Sequence, residues 1–547
     1  MNSVHHPVLV VGAGPVGLVA ALTLLQNGIP VRIIDKDLHH RIGQRGAGIW
    51  PRSLELYNFL DVSEVNGLGK PAPPTRSYKP GTLEPLKDSS IAPQMEPSPA
   101  IPFHGLKLMG QQLLDVILRR HLEKFSCYVE MGTELRSFEQ SDEGVTVILA
   151  RNGISETVDT KWIIGADGAK SVVRKELGLT FLGSTRDDVR IVTGDIRLKG
   201  IGLDRAYWHR IGNFNERGLL LRPTDEVGED GWQFFLYGHE LDIPRIAQSE
   251  ELVFETIASL IPTEITFTKV VWMSDFRANI RMVNKFSEGR VFVAGDAAHV
   301  HSPIGGQGLN SGVQDAFNLG WKLALVQKGL ADRSLLETYS AERLPVISEM
   351  LGVTTSILDK TISSGDLSLG RSPILYMLGI NCRFSTIVLD EFVTSVEGRP
   401  INAYRVLDEG HLEAGDRAPD ASNMLQLGCE PDETTLFSLY RPWYHTMLVF
   451  APSLADATPI LGALEAYNQS VVRSAVVLPS SASVTPVASP ADFVLQVVDR
   501  EGYAYSAYLM KAGQTKVFVV RPDGVIGAIV HGAEGVRKYF SKIFCGA

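Results

Sequence analysis

The stretch PVLVVGAGPVGLVAALTLLQNGIPVRIID, residues 7–35, leaves this chain the least conformational freedom. A short apolar run, a glycine-rich turn, a helical pattern and a second apolar run follow one another without a break. That is the order of a strand, a helix and a second strand. Gly12, Gly14 and Gly17 sit at the handover from strand to helix. Gly12 permits the tight turn, Gly14 lets the backbone approach a pyrophosphate, and Gly17 allows helix and strand to pack closely. Pro15 suits the first helical position, whose N–H has no partner anyway, and Gly28 suits the C-cap. The helix start adds free N–H groups and a partial positive charge. Asp35, followed by Lys36, ends the second run, where an acid accepts ribose hydroxyls. The pattern predicts a dinucleotide site. A purely structural turn uses the same glycines, and nothing in the stretch chooses between FAD and NAD(P).

With 547 residues the chain has room for about three or four domains. A net charge of −10 without a long basic run argues against nucleic acid or an anionic membrane as partner. Cys127, Cys382, Cys429 and Cys545 are far apart, with neither CxxC nor zinc-type spacing. No disulfide framework is expected, and a reducing, cytoplasmic setting is. No stretch reaches about 18 uninterrupted apolar residues, so no transmembrane helix is expected. The start MNSVHHPVLVVGAG lacks the charged region of a signal peptide.

Residues 66–105 are rich in Pro, Gly and Ser and read as surface loops. Residues 107–125 read as a helix. Alternating segments between 181 and 280 predict a mostly antiparallel sheet. GRVFVAGDAAH (289–299) returns to a buried strand, and helical patterns run from about Val313 to Thr361. SSGDLSLGRSP (363–373) and EAGDRAPDAS (413–422) read as breaks, and SSASVTPVASPAD (480–492) as a biased loop. The last part alternates strand patterns, among them HTMLVFAPS and KVFVVRPDG, and closes on a helix.

Two further motifs carry chemistry. GADGAKSVVR, from Gly165 to Arg174, ends one strand, with Asp167 beside Gly168. Gly295-Asp296 ends another and opens GDAAHVHSPIGGQGLNSGVQDAFNLGWKLA. His299 and His301 there have the spacing of a metal pair, but no third ligand is evident, so no metal is expected. Asp315, Trp321 and Lys322 are expected to serve helix packing and surface charge.

The three motifs in this order resemble those of the single-component FAD aromatic hydroxylases, the group A flavoprotein monooxygenases that include phenol hydroxylase and 4-hydroxybenzoate hydroxylase. Arg45, Arg52, Gln111 and Arg281 are smaller matches, and together they cover roughly residues 7–350. KVFVVRPDGVIG is similar to the thioredoxin-like C-terminal domain of the phenol hydroxylase branch. The resemblance implies an α/β fold: a Rossmann-like FAD-binding domain from 1–180 and 281–360, and an inserted antiparallel-sheet substrate domain at 181–280. A helical connection at 361–412 and a thioredoxin-like domain at 413–547 would follow. The last lacks CxxC, so its role would be structural, in dimer packing or in covering the active site.

The resemblance also implies roles. Gly12, Gly14, Pro15 and Gly17 would hold the pyrophosphate, and Asp35 with Lys36 the adenosine ribose. Arg45 and Gln111 would contact the diphosphate and ribose region. Gly295 and Asp296 would grip the ribityl chain, and Asp167 would serve both FAD and transient NAD(P)H. Reduced flavin is anionic at one end, and N–H groups around Gly308, Leu309 and Asn310 would stabilise that charge. Pro303 would place a carbonyl near the substrate side. Trp208, His209, Phe235, Tyr237 and Trp272 are candidates for a pocket roof, and His301 for a neighbour of the substrate. Phenol hydroxylase has an aspartate where this chain has Ala47, so the base is open between His104 and His209.

The implied activity is NAD(P)H- and O2-dependent hydroxylation of a phenolic compound through a flavin C4a-hydroperoxide. Epoxidation, dearomatising or decarboxylating oxygenation are alternatives within flavoenzymes, and a homodimer is compatible with all of them. From another class, the chain could be a non-turnover flavoprotein acting as an interaction module.

Overall fold

The computed structural model describes residues 7–213, 215–364, 372–393, 400–427, 432–482 and 494–546. Most of the break expected at 363–373 and of the biased loop at 480–492 lies outside the described residues.

The first strand, Val8–Val11, is central in a six-stranded sheet. It pairs in parallel with Val31–Asp35 on one side and Trp162–Gly165 on the other, and Val291–Val293 continues the parallel set. These strands are buried on both faces and so read as continuous apolar runs. Helix Pro15–Gln26 packs on helix Gly308–Gln327. The contact is close because of glycine: a Cβ on Gly312 would lie 2.5 Å from a Val16 methyl carbon and 3.1 Å from the Gly295 Cα. The chain from 181 to 283 leaves this unit and returns, as expected for an insertion.

That insertion builds an eight-stranded sheet on two long strands, Phe181–Gly200 and Ile265–Val283, followed by Gly231–Tyr237, Gly218–Pro223 and Trp208–Gly212. Its edge is a correction to the loops expected at 66–105. Thr75–Tyr78 pairs in parallel with Trp208–Gly212, and Pro85–Ser89 pairs with Thr75–Tyr78. These strands are polar, and Pro85–Ser89 is almost wholly exposed, so alternation carried no signal. The sheet has two unlike faces. One packs Val192, Phe234, Leu236, Leu219 and Leu221 against helix Glu250–Leu260, all at 0% exposure. The other turns Leu220, Phe235 and Phe276, only partly buried, toward the dinucleotide-binding unit.

Among the described residues, the segment expected at 361–412 as a helical connection holds little helix. The helix Glu337–Ser364 ends there, and the described residues beyond it, 372–393 and 400–412, carry a 3-10 turn at Pro373–Tyr376 and two-residue strands. One of these, Leu389–Asp390, pairs with Ile526–Val530. The C-terminal sheet contains the order Ile526–Val530, Lys516–Val520, His445–Phe450, Val472–Pro479, with the first two pairings antiparallel and the last parallel. No described helix is long and apolar enough to cross a membrane.

Candidate active site

The glycine turn has the geometry that its residues predict. Gly12 has φ +100°, and a Cβ there would lie 2.4 Å from the Ala166 carbonyl oxygen. A Cβ on Gly17 would lie 1.9 Å from the Gly12 carbonyl oxygen. Gly14 precedes Pro15 at the helix start. The Asp35 carboxylate accepts the Ala13 N–H at 2.8 Å, tying the turn to the end of the second strand. Lys36 is exposed beside it.

Arg41 was not singled out by the sequence, yet its guanidinium lies 3.9 Å from Asp35 and 3.3 Å from where a Gly14 Cβ would be. Arg45 has φ +49°, stacks 4.9 Å above the Trp272 ring, and its buried Nε has no partner. A cluster of buried polar groups holds the Arg45 loop. The Gln44 N–H donates to Asp195 at 2.8 Å, Arg222 donates to Gln233 at 2.8 Å, and Gln233 donates to the Arg45 carbonyl at 2.8 Å. Burial lowers the Arg222 pKa to about 10. Gln111 starts helix Gln111–Glu123, and its side chain donates to the Gly46 carbonyl at 3.2 Å. A helix N-terminus, two cations and a carboxylate at the strand end thus converge, a donor set that fits an anionic diphosphate and a ribose.

Asp167 is engaged within the protein. One oxygen accepts the Ser171 hydroxyl at 2.5 Å, and the other accepts the Val172 N–H at 2.6 Å. It therefore caps helix Val172–Glu176, whose Arg174 donates to the Ala297 carbonyl at 2.9 Å. The second motif braces the third.

In the third motif Gly295 has φ +58°, and its N–H donates to Asp315 at 3.0 Å. Asp315 also accepts from His299 at 2.7 Å and from Arg343 at 2.7 Å. Burial alone would raise the Asp315 pKa, but Arg343 and His299 bring it down to about 2. His299 is therefore an ion-network member, and it parts from His301. Asp296 is exposed between the buried Gly295 and Ala297, and desolvation by the surrounding protein raises its carboxyl pKa.

The loop 303–307 also has two faces. Ile304, Gly305 and Gln307 are buried, whereas Pro303 and Gly306 are exposed. The Gly305 carbonyl accepts from the Trp50 indole and from Gln307, both at 2.9 Å. The Gly306 carbonyl accepts from the Asn310 side chain at 2.7 Å, and Asn310 in turn accepts the Trp50 N–H at 2.9 Å. With carbonyls drawn inward, the first-turn N–H groups of Gly308, Leu309 and Asn310, which the helix cannot pair, make its start a place for negative charge.

His301 lies over this start, its Nε2 2.6 Å from where a Gly308 Cβ would be, and its Nδ1 is unpartnered. Burial and His299 lower its pKa to about 4, so it stays neutral at ordinary pH. His209 is a correction. It is 0% exposed, packs against Trp232, and binds the Tyr78 hydroxyl at 2.5 Å and the Asp204 carbonyl at 2.9 Å. It sits on the sheet face turned away from the dinucleotide-binding unit, as its pairing with Leu221 requires. Tyr237 is buried on the opposite face, opposite Gly218. Trp208 and Phe235 approach each other there, with ring centroids 6.4 Å apart. Lys322 is another correction: it is fully buried and bonded to Glu342 at 2.8 Å.

A profile of the FAD binding domain matches residues 5–354. A flavin-dependent monooxygenase of Mycobacteroides abscessus is 32% identical over 549 residues, covering 98% of this chain and 99% of that one. The chain belongs to the flavin-dependent monooxygenase family. This monooxygenase is also 29% identical over 474 residues to the pentachlorophenol 4-monooxygenase of Sphingobium chlorophenolicum, covering 83% of this chain and 82% of that one. Its fold matches the crystal structure of aklavinone-11 hydroxylase in ternary complex with FAD and aklavinone. The TM-score is 0.78 at 23% identity, over 100% of both chains. FAD is the cofactor of the monooxygenase, and NAD(P)H is the reductant used in its family.

Proposed function

We propose that the enzyme hydroxylates a phenolic compound with O2 and NAD(P)H, in the cytoplasm. The observation that carries the substrate class is the partly buried aromatic and aliphatic face, Leu220, Phe235 and Phe276, that the substrate sheet turns toward the cofactor unit. Flat apolar rings suit such a face. Bound FAD would supply the redox chemistry and an electrophilic oxygen drawn from O2.

The chain's own residues do the rest. Gly12, Gly14, Pro15 and Gly17, with Arg41 and Arg45, hold the diphosphate. Asp35, with Lys36 beside it, takes the adenosine ribose, and Gln111 keeps the Arg45 loop in place. Gly295 and Asp296 take the ribityl chain. The Gly308–Asn310 amides stabilise the anionic end of the flavin. Asp167 acts through its helix cap on Arg174. Pro303 bounds the substrate side. His301, neutral down to about pH 4, is a poor proton acceptor and serves as a hydrogen-bond partner for the substrate oxygen. Tyr237 and Trp208 shape the roof. The strand order of the C-terminal unit supports a thioredoxin-like reading with a structural role.

A panel of phenols is screened for stimulated NAD(P)H consumption, with mass analysis of the products. A gain of one oxygen is expected. Yellow protein that no phenol stimulates would sink the reading. Asp296→Ala should lower bound FAD, and unchanged flavin content would remove Asp296 from the site.

A further inference from the structure

The loop at 303–307 is held from a direction that the cofactor motifs do not explain. Gln307 is 0% exposed and uses both ends of its amide. Its nitrogen donates to the Gly305 carbonyl at 2.9 Å and to the Leu375 carbonyl at 3.2 Å. Its oxygen accepts the hydroxyl of Tyr404, which is also buried. Tyr404 belongs to the stretch that leads toward the C-terminal unit. That stretch is pinned by Glu349, whose carboxylate accepts the N–H groups of Ala403 at 3.1 Å and Tyr404 at 2.8 Å.

Two carbonyls at one end of an amide require its nitrogen there. A hydroxyl donor at the other end fixes its oxygen. Without Tyr404 Oη–H the buried Gln307 oxygen loses its donor and only the two carbonyls hold the amide in its orientation; an oxygen turned toward Gly305 would repel that carbonyl. The peptide at risk joins Gly305, φ +100°, to Gly306, φ +62°. Glycine visits positive and negative φ with little penalty, so hydrogen bonds rather than sterics hold this peptide: Gln307 and the Trp50 indole on the Gly305 carbonyl, and the Pro303 carbonyl on the Gly306 N–H. A flip would turn a carbonyl outward beside helix amides that face negative charge.

We propose that Tyr404, acting through Gln307, is a positioning residue for the loop that precedes the Gly308–Asn310 amides, and so sets how well the enzyme stabilises reduced flavin. The proposal rests on the assignment of those amides to the flavin's anionic end, under the proposed function.

Tyr404→Phe keeps the ring and removes only the hydroxyl, while Gln307→Met removes the amide at similar length. The readouts are FAD affinity by titrating apoprotein, the midpoint potential and visible spectrum of the bound flavin, and kcat against KM. For Tyr404→Phe we expect FAD affinity within about threefold of wild type. We also expect a more negative midpoint potential, an altered flavin spectrum, and kcat lower by about tenfold with KM little changed. Glu349→Gln keeps one acceptor oxygen but turns an NH2 toward the other N–H, so it should shift the potential in the same direction as Glu349→Ala, by a smaller amount. An unchanged potential and spectrum in Tyr404→Phe, with flavin bound, overturns the proposal even if Gln307→Met fails to fold. A shifted potential in an enzyme that no phenol stimulates would leave this proposal standing and remove only the substrate reading.

Discussion

Helix Gly308–Gln327 carries two buried ion clusters that use similar residues for different ends. Near its start, Asp315 joins His299 and Arg343 to the N–H of Gly295. Further along, Lys322 meets Glu342, which also accepts from Arg521 at 2.8 and 2.9 Å. Arg521 and Asp523 arrive on a turn of the C-terminal unit and pair with each other as well. Burial alone would raise the Glu342 pKa, but Arg521 and Lys322 hold it well below its usual range. The first cluster is local to the cofactor turn and sets the shape of a loop. The second fastens one unit to another, helped by Arg417 on Glu55 and by Arg52 on the Asp523 carbonyl at 2.8 Å. Breaking the first should therefore cost flavin before stability, and breaking the second should cost stability before flavin.

The largest effect is expected from Arg521→Met. It leaves Glu342 and Asp523 buried with too little positive charge, a loss of about 3–5 kcal/mol. Denaturant unfolding followed by tryptophan fluorescence measures it. A loss under about 1 kcal/mol would mean that the second cluster fastens nothing. Asp315→Asn should cost about 2–3 kcal/mol, because Arg343 is left buried beside a neutral amide. Its more telling readout is flavin absorbance per protein after desalting, which should fall sharply. Full flavin content in Asp315→Asn, or flavin loss without destabilisation in Arg521→Met, would erase the distinction between the clusters.

The two clusters were unequally legible. The Gly12–Gly17 turn and the Gly295-Asp296 turn stand at strand ends in the sequence, and the structure has them there, because local apolar runs and glycines decide both. Asp315 and Lys322 could not be read in the same way. An amphipathic pattern predicts one covered face, whereas residues 310–325 of this helix are buried all round, between the helix at 15–26 and the C-terminal unit. Their own partners, 16 to 28 residues away, sit on other elements, and the contacts that complete the fastening are far more distant in the chain: Arg521 is 179 residues from Glu342, and Arg417 is 362 from Glu55. Arg41 carries no sequence signal because a lone arginine in a loop has no periodicity to betray it. The strands at 75–78 and 85–89 carry no sequence signal because polar edge strands look like loops.

A pH-dependent effect, negligible above pH 6.5 and growing as pH falls, separates the regions. His301 lies by the cofactor turn, and His445 packs on Trp321 and Tyr539 beside the second cluster. Burial lowers their pKa values, to about 4 and about 3. The unfolded chain protonates such groups near the ordinary value of 6.5, so below that pH it binds more protons than the fold does. Each histidine therefore costs stability as pH falls, by up to about 1.4 kcal/mol per unit, until its own folded pKa is reached. Asp115 and Asp420, raised by burial to about 7 and about 6, push the other way. The wild-type curve alone mixes these terms, and the difference between wild type and His445→Phe isolates one. It should be flat above pH 6.5 and grow in favour of the variant toward pH 4. A difference that does not change with pH would show that His445 is not held neutral.

The smallest effect tests how the cofactor region is braced. Asp167 spends both oxygens on the start of helix Val172–Glu176, and Arg174 from that helix holds the Ala297 carbonyl next to Asp296. Asp167→Asn retains one acceptor but loses its charge and one bond. About 1 kcal/mol of stability should go, the usual size of a lost cap. Because the helix is short and the bond to Ala297 is indirect, FAD affinity should weaken by only a few-fold, much less than in Asp315→Asn. Arg174→Lys, which keeps the charge but not the two-pronged reach to Ala297 and Ala169, should weaken FAD to a similar degree without loss of the cap. If Asp167→Asn abolishes flavin binding while Arg174→Lys leaves it intact, Asp167 touches the cofactor itself. The bracing through Arg174 would then be secondary to that contact.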